Sequence, residues 1–152
     1  MQINPYLNFN GDCQVAFKFY EKVLGGRIES VITHGDSPIA NEVPATWHDR
    51  VLHARLVVGD AVLMASDSPP EQYEQPRGLY VSLNLQDPAE ADRIFYALAE
   101  KGSVTMPIEQ TFWAARFGML VDRFGIPWMI NCAAPAASTN QGVAAGGLAE
   151  SR

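Results

Sequence analysis

One order of local signals occurs twice along these 152 residues, and that repetition constrains the fold more than any single motif. Residues 3–66 carry an alternating apolar run, an amphipathic helical stretch and three further strand-like runs, and residues 79–131 carry the same succession. A unit of this size has one apolar sheet face and one apolar helix stripe and cannot close a core alone, so two copies must pack together. The expected fold class is α+β, two βαβββ modules forming curved sheets around a cleft. Residues 1–132 are read as a single domain, with module one at 3–66, a Pro-rich linker at 67–78 and module two at 79–131. Residues 133–152 form an Ala/Gly-rich segment expected to be a flexible tail, because it has too few large apolar groups to offset its ordering entropy.

Strands are predicted at Ile3 to Phe9, Arg27 to Thr33, Val51 to Val58 and Ala61 to Ser66, the last two joined by Gly59-Asp60. In the second half they fall at Leu79 to Leu85, Val104 to Glu109, Phe117 to Val121 and Ile126 to Asn131. The first helix is capped by Asp12, buries Val15, Ala16, Phe19, Tyr20, Val23 and Leu24, and stops at Gly25. The second starts at Asp87 with Pro88 at its first position and Glu90 closing a capping box; Ala91, Ile94, Phe95, Leu98 and Ala99 form its buried stripe, and Gly102 ends it. Between His34 and Arg50 runs a long polar loop, of the kind that is functional or mobile more often than not.

The stretch Gln110 to Asn131 holds two of the three tryptophans and reads as a buried hairpin turning at Asp122-Arg123-Phe124-Gly125. Gly125 supplies the positive φ of the turn, and Pro127 starts the return strand, where a missing N–H costs no ladder bond. Trp128 and Ile130 then point to one face and Met129 and Asn131 to the other, which is either more core or the wall of a cavity.

A formal charge of −6 and a pI near 4.9 argue against a nucleic-acid partner, since attraction to phosphates supplies most non-specific affinity. There is no long apolar run and no basic-then-apolar leader, so the chain is expected to avoid membranes and to be cytoplasmic. Cys13 and Cys132 are too few for a disulfide framework and are read as reduced.

With these features in place, the chain resembles the vicinal oxygen chelate superfamily, which includes glyoxalase I, extradiol dioxygenases, fosfomycin resistance enzymes and bleomycin-binding proteins. The resemblance rests on the twofold order, on A-F-K-F-Y-E-K-V-L-G-G at Ala16 to Gly26 and on D-R-F-G-I-P-W-M-I at Asp122 to Ile130. N-P-Y-L-N-F-N-G-D-C at Asn4 to Cys13 and Q-T-F-W-A at Gln110 to Ala114 are similar to its PhnB-like branch. It spans about residues 3–132. Metal-using members carry His or Glu at four inward positions, on the first and last strands of each module. Carried over, the resemblance places these on Asn4 (or Pro5, one residue on), Met64, Tyr80 and Met129, which implies no bound metal and no cofactor.

Strand parity puts Tyr6, Asn8, Tyr80, Ser82, Asn84 and Asn131 on the inward side, where they would orient a ligand or be satisfied internally. His53 is the one strand-borne histidine and a candidate acid or base, with Tyr80 as a second catalytic candidate. Trp113 is either core or a flat wall for a planar ligand; Arg116 binds an anion if it points inward and is a surface charge if not. His34 and His48, with Glu42 or Asp36, offer a rearranged metal site. The leading expectation is metal-independent small-molecule binding in the cleft by Asn4, Tyr6, Asn8, Met64, Ser82, Asn84, Trp113, Arg116, Met129 and Asn131. The alternatives are a lyase, isomerase or transferase working through His53 and Tyr80 or a relocated metal, and a non-catalytic assembly or regulatory protein. A homodimer is expected under all three, as the resemblance implies.

Overall fold

The computed structural model describes residues 1–135, so the predicted tail lies almost wholly outside the described residues. Module one runs β1 (Tyr6–Phe9), α1 (Cys13–Leu24), β2 (Arg27–Thr33), β3 (Val51–Val58) and β4 (Ala61–Asp67). Module two runs β5 (Val81–Leu85), α2 (Pro88–Ala99), β6 (Ser103–Glu109), β7 (Ala114–Val121) and β8 (Pro127–Ala133). Each forms its own four-stranded sheet in the same order, β1-β4-β3-β2 and β5-β8-β7-β6. The first strand of each pairs in parallel with the last, Tyr6 beside Met64 and Ser82 beside Met129, while the remaining pairs are antiparallel.

The apolar sides of both sheets and both helices merge into one core, with Phe9, Phe17, Tyr20, Leu56, Phe95, Leu120 and Trp128 fully buried. In α2, Ala91, Ile94, Phe95 and Leu98 are buried as the sequence predicts, and Ala99 is half-buried at the helix end. In α1 the phase differs: Phe17 is buried and Val15 is exposed, because a stripe built on Cys13, Ala16 and Tyr20 passes through position 17 rather than 15.

Several end signals act differently from the sequence reading. Asp12 makes no side-chain cap. The N–H of Cys13 donates instead to Asp67 Oδ1 at 3.0 Å, and Asp67 Oδ2 accepts Val51 N–H at 2.8 Å, so a buried carboxylate on β4 ties α1 to β3. Asp87 does cap α2, accepting the Ala89 N–H at 3.0 Å, but Glu90 turns to Arg93 rather than closing a box. The left-handed residue after α2 is Lys101, φ 61, and Gly102 serves close approach, since a Cβ there would collide with the Val121 carbonyl. β1 and β5 begin at Tyr6 and Val81 rather than at Ile3 and Leu79. Pro5 still accepts from Met64 N–H at 3.2 Å but has no N–H with which to extend the ladder. β7 begins three residues before the predicted Phe117, at Ala114.

The modules are joined by the β7–β8 turn. Asp122, 3% exposed, accepts four hydrogen bonds: Phe124 N–H at 2.8 Å and Ile126 N–H at 3.0 Å on one oxygen, Trp128 Nε1–H at 2.8 Å and the Tyr20 hydroxyl on the other. Tyr20 belongs to α1, so the bond crosses between modules. Phe124 packs edge-on against Phe9, Phe19 and Tyr20, and the Arg123 guanidinium lies 4.5 Å over the Phe19 ring. Arg93 of α2 adds a hydrogen bond to the Val23 carbonyl of α1 at 2.9 Å.

Burial, and then the neighbouring Asp122 carboxylate, push the Tyr20 phenol well above its ordinary value of 10.0. Below that pH both folded and unfolded chains keep the proton and the stabilisation is complete; above it the unfolded chain loses its proton first, so stability falls with rising pH. Tyr20→Phe removes a donor from a buried carboxylate and should lower unfolding free energy by about 1.5–3 kcal/mol in denaturant titration at neutral pH. The same variant should lose less stability than the parent between pH 10.0 and higher values; equal alkaline slopes would exclude Tyr20 as the cause.

Candidate functional site

Each sheet has a core face toward its helix and an open face opposite, and strand alternation decides which residues line the latter. In module one, Leu7, Phe9, Ala54, Leu56, Leu63 and Ala65 are buried, while Tyr6, Asn8, His53, Arg55, Met64 and Ser66 point to the open side. Register sets their rows: Tyr6, Met64 and Arg55 lie side by side on β1, β4 and β3, and Asn8 lies beside Ser66. Tyr6 reaches across β4 so that its hydroxyl is 3.1 Å from His53 Nδ1, with the rings stacked at 5.7 Å. Ser66 Oγ donates to Asn8 Oδ1 at 3.3 Å, and Arg55 Nε donates to Glu29 Oε1 at 3.0 Å.

Module two repeats this arrangement. Ser82 stands beside Met129, Met129 beside Met119 and Met119 beside Met106; Asn84 stands beside Asn131 and Asn131 beside Phe117. Asn131 Nδ2 donates to Asn84 Oδ1 at 3.3 Å, the counterpart of the Ser66–Asn8 bond. The first-and-last-strand pair that carries Tyr6 and Met64 in one module therefore carries Ser82 and Met129 in the other.

The predicted residues are thus partly brought together. Tyr6, Asn8, His53 and Met64 share one open face, and Ser82, Asn84, Met129 and Asn131 share the other. Asn4 and Tyr80 do not stand beside the methionines; both precede their strands, and Tyr6 and Ser82 take those places because the ladders start late. Tyr80 is 41% exposed. Trp113 is not core: it is half-exposed just before β7, with its ring edge-on to Phe117 and to Phe112. Arg116 is on the helix side of β7, the side of Gly118, and donates to Asp92 Oδ1 of α2 at 2.7 Å. Unbroken register from Arg116 to Val121 puts Arg116 on the face of Gly118 and Leu120, so it is a helix-side ion pair and not an anion ligand of the open face.

The donors at the first-and-last-strand positions are two thioethers, a phenol and a hydroxyl. Divalent cations of the hard and borderline kind take carboxylate oxygens and imidazole nitrogens, so this set does not fit such an ion. The loop arrangement is not formed either. His48 Nε2 is 2.9 Å from the Ala40 carbonyl, and among the described residues no three His, Cys, Asp or Glu side chains gather as ligands. Cys13 and Cys132 are free and buried, and burial raises the Cys13 thiol far above its usual range, so it is no nucleophile at neutral pH.

Beside β1 lies a recess of about 310 Å³ bounded by Tyr6, Asn8, Ser68, Gln72, Leu79 and Pro127, which joins the open face of module one to the linker and to the start of β8. Sequence reasoning named Tyr6 and His53 separately but had no means of pairing them, since their partnership depends on β1 and β3 flanking β4. It did not name Asp122 or Asp67 as buried hubs. The signal for the first was present: an Asp followed three residues later by Gly marks an Asx-type turn whose carboxylate accepts backbone N–H groups.

A family model described as the Glyoxalase/Bleomycin resistance protein/Dioxygenase superfamily matches residues 2–130. Protein YjdN of Escherichia coli (strain K12) is 33% identical over 139 residues, covering 86% of this chain and 95% of its own length. The crystal structure of protein PA1353 from Pseudomonas aeruginosa is 54% identical with a TM-score of 0.81, covering 88% of this chain and 98% of that one. A PhnB protein from Bacillus cereus is 22% identical with a TM-score of 0.74, covering 88% and 100%, a likeness of fold. No helix of the described residues is long and apolar enough to cross a membrane.

The Tyr6–His53 contact is directly testable by nitrogen-15 NMR of the histidine rings. Tyr6→Phe should shift the Nδ1 resonance of His53 and change its tautomer balance while leaving His48 unmoved; an unchanged His53 ring would show that the hydroxyl does not engage it.

Proposed function

This chain belongs to the glyoxalase/bleomycin resistance protein/dioxygenase superfamily, and from that membership we propose that it binds a small organic molecule on the open face of module one without a divalent metal. One observation carries the reading: the paired first- and last-strand positions hold Tyr6 with Met64 and Ser82 with Met129, while the fold around them is intact. The Tyr6–His53 pair, Asn8 and Ser66 supply neutral donors and acceptors, Met64 supplies a polarisable apolar floor, and the adjoining recess gives depth. The proposal includes a homodimer. Ile32, Met106 and Trp113 are all more than 40% exposed and Phe112 is 96% exposed, apolar surface that a second copy would cover.

A second reading is favoured by the 3.1 Å contact between the Tyr6 hydroxyl and His53 Nδ1. A histidine held by a phenol can pass a proton through its other ring nitrogen, which supports a lyase, isomerase or transferase with His53 as general base.

A thermal-shift screen with planar aromatic drugs, thiol conjugates and phosphonates, run with and without EDTA, tests the first reading. A ligand at one hundred times its Kd should stabilise the protein by about 2.7 kcal/mol whether or not the chelator is present; a shift abolished by EDTA would contradict it. His53→Ala should leave binding within a few fold under the first reading and abolish turnover under the second. Light scattering should give twice the chain mass; a monomer at micromolar concentration would remove the dimer.

A further inference from the structure

The loop between β2 and β3 is not the open polar excursion that its composition predicts. It returns on itself through His34 N–H to the Arg50 carbonyl at 2.9 Å and Gly35 N–H to the His48 carbonyl at 3.0 Å, and contains two single-turn 3-10 helices, Ala40–Glu42 and Ala45–Trp47. Folded this way it roofs a recess of about 330 Å³ walled by Val43, Pro44, Leu52 and Pro69, with Trp47, His34 and Glu71 also on its lining. Two features separate it from an ordinary surface dent. His34 Nδ1 is buried and has no hydrogen-bond partner, although its ring is fixed edge-on to Trp47 at 5.7 Å. Buried polar atoms are nearly always paired, so such an atom on a cavity wall points to a missing partner. The charge balance is also one-sided. Asp67 at the base spends each oxygen on a backbone N–H, while Glu71 forms no ion pair among the described residues. The Arg50 guanidinium donates to the Gly11 carbonyl at 2.8 Å and lies 5.9 Å from the Trp47 ring centroid, but it does not line the recess.

We infer that this recess is a second binding site, and that it takes a small organic cation: a protonated primary or secondary amine on an apolar or aromatic body. An ammonium donates to His34 Nδ1 in its Nε2–H tautomer and gains the Glu71 carboxylate, while the apolar body packs against Trp47 and the apolar wall. An anion would face Asp67 and Glu71 with no Lys or Arg on the lining, and a neutral isostere would lose the charge-assisted bond. The class of ligand thus follows from two carboxylates, Asp67 and Glu71, on a lining that carries no Lys or Arg.

The test uses the full chain and three probes of similar shape: phenethylammonium, 2-phenylethanol and benzoate. Binding is followed by the Trp47 indole N–H resonance, assigned with Trp47→Phe. Phenethylammonium should give a saturable shift with an affinity about tenfold or more above that of the alcohol, equivalent to ~1.4 kcal/mol, and benzoate should give none. Glu71→Gln, an exposed position that should not disturb folding, should weaken the amine by about fivefold or more, in line with a charge-assisted contact, and leave the alcohol unchanged. His34→Phe, with its melting transition checked, should also weaken the amine. Equal affinity for alcohol and amine, saturable binding of benzoate, no effect of Glu71→Gln, or no saturable shift with any probe would overturn the assignment.

Discussion

The buried carboxylate of Asp122 is the interaction on which the arrangement of the two halves depends. An ionised group taken from water costs several kcal/mol unless its lone pairs are met, and here four donors meet them. Two come from its own turn, one from Trp128 on β8 and one from Tyr20 on the other module's helix. The set is complete only when α1 of module one lies against the hairpin of module two. Phe124, gripped by Phe9, Phe19 and Tyr20, fills the space beside it. A non-directional core would tolerate several packings of two similar units; a carboxylate with donors from both sides selects one.

That choice determines the chemistry available elsewhere. With Trp128, Ile130 and Cys132 committed to the core, alternation along β8 leaves Met129 and Asn131 facing outward, just as Phe9 and Ala65 in the core leave Asn8, Met64 and Ser66 outward in module one. The two open faces are thus related residue by residue, as expected for one unit used twice. They are not equal in chemistry. Module one has an imidazole held by a phenol and an Arg–Glu pair; module two has a thioether row, a pair of amides and an exposed aromatic group at Phe112 and Trp113. The first face is the richer in hydrogen-bonding groups and the second in apolar surface.

Much of this was legible in the sequence because period carries orientation. Alternation alone placed Tyr6, Asn8, Ser82, Asn84, Met129 and Asn131 on the open side, and the repeat of local signals gave two modules. What stayed hidden depends on contacts distant in sequence. Asp67 capping α1 across more than fifty residues, Tyr20 reaching Asp122, and Tyr6 meeting His53 each require knowledge of which strand lies beside which. Orientation also stays open where a strand end is misplaced: with β7 expected from Phe117, Arg116 falls outside the alternation, and only the start at Ala114 puts it on the helix side with Gly118 and Leu120. The loop at 34–50 is polar by composition, yet its few apolar groups, Val43, Pro44 and Trp47, are what make it a roof.

The central claim is the proposed metal-free binding: the paired first- and last-strand positions hold two thioethers, a phenol and a hydroxyl, a set that does not fit a hard or borderline cation. Methionine methyl resonances report on it directly, because Met64 and Met129 stand at those positions and a bound manganese ion broadens any methyl group near it. Titrating the full-length protein with manganese should broaden all methionine methyl signals weakly and alike, as free ion does. Selective, saturable loss of the Met64 and Met129 signals at stoichiometric metal would place an ion between them and contradict the account.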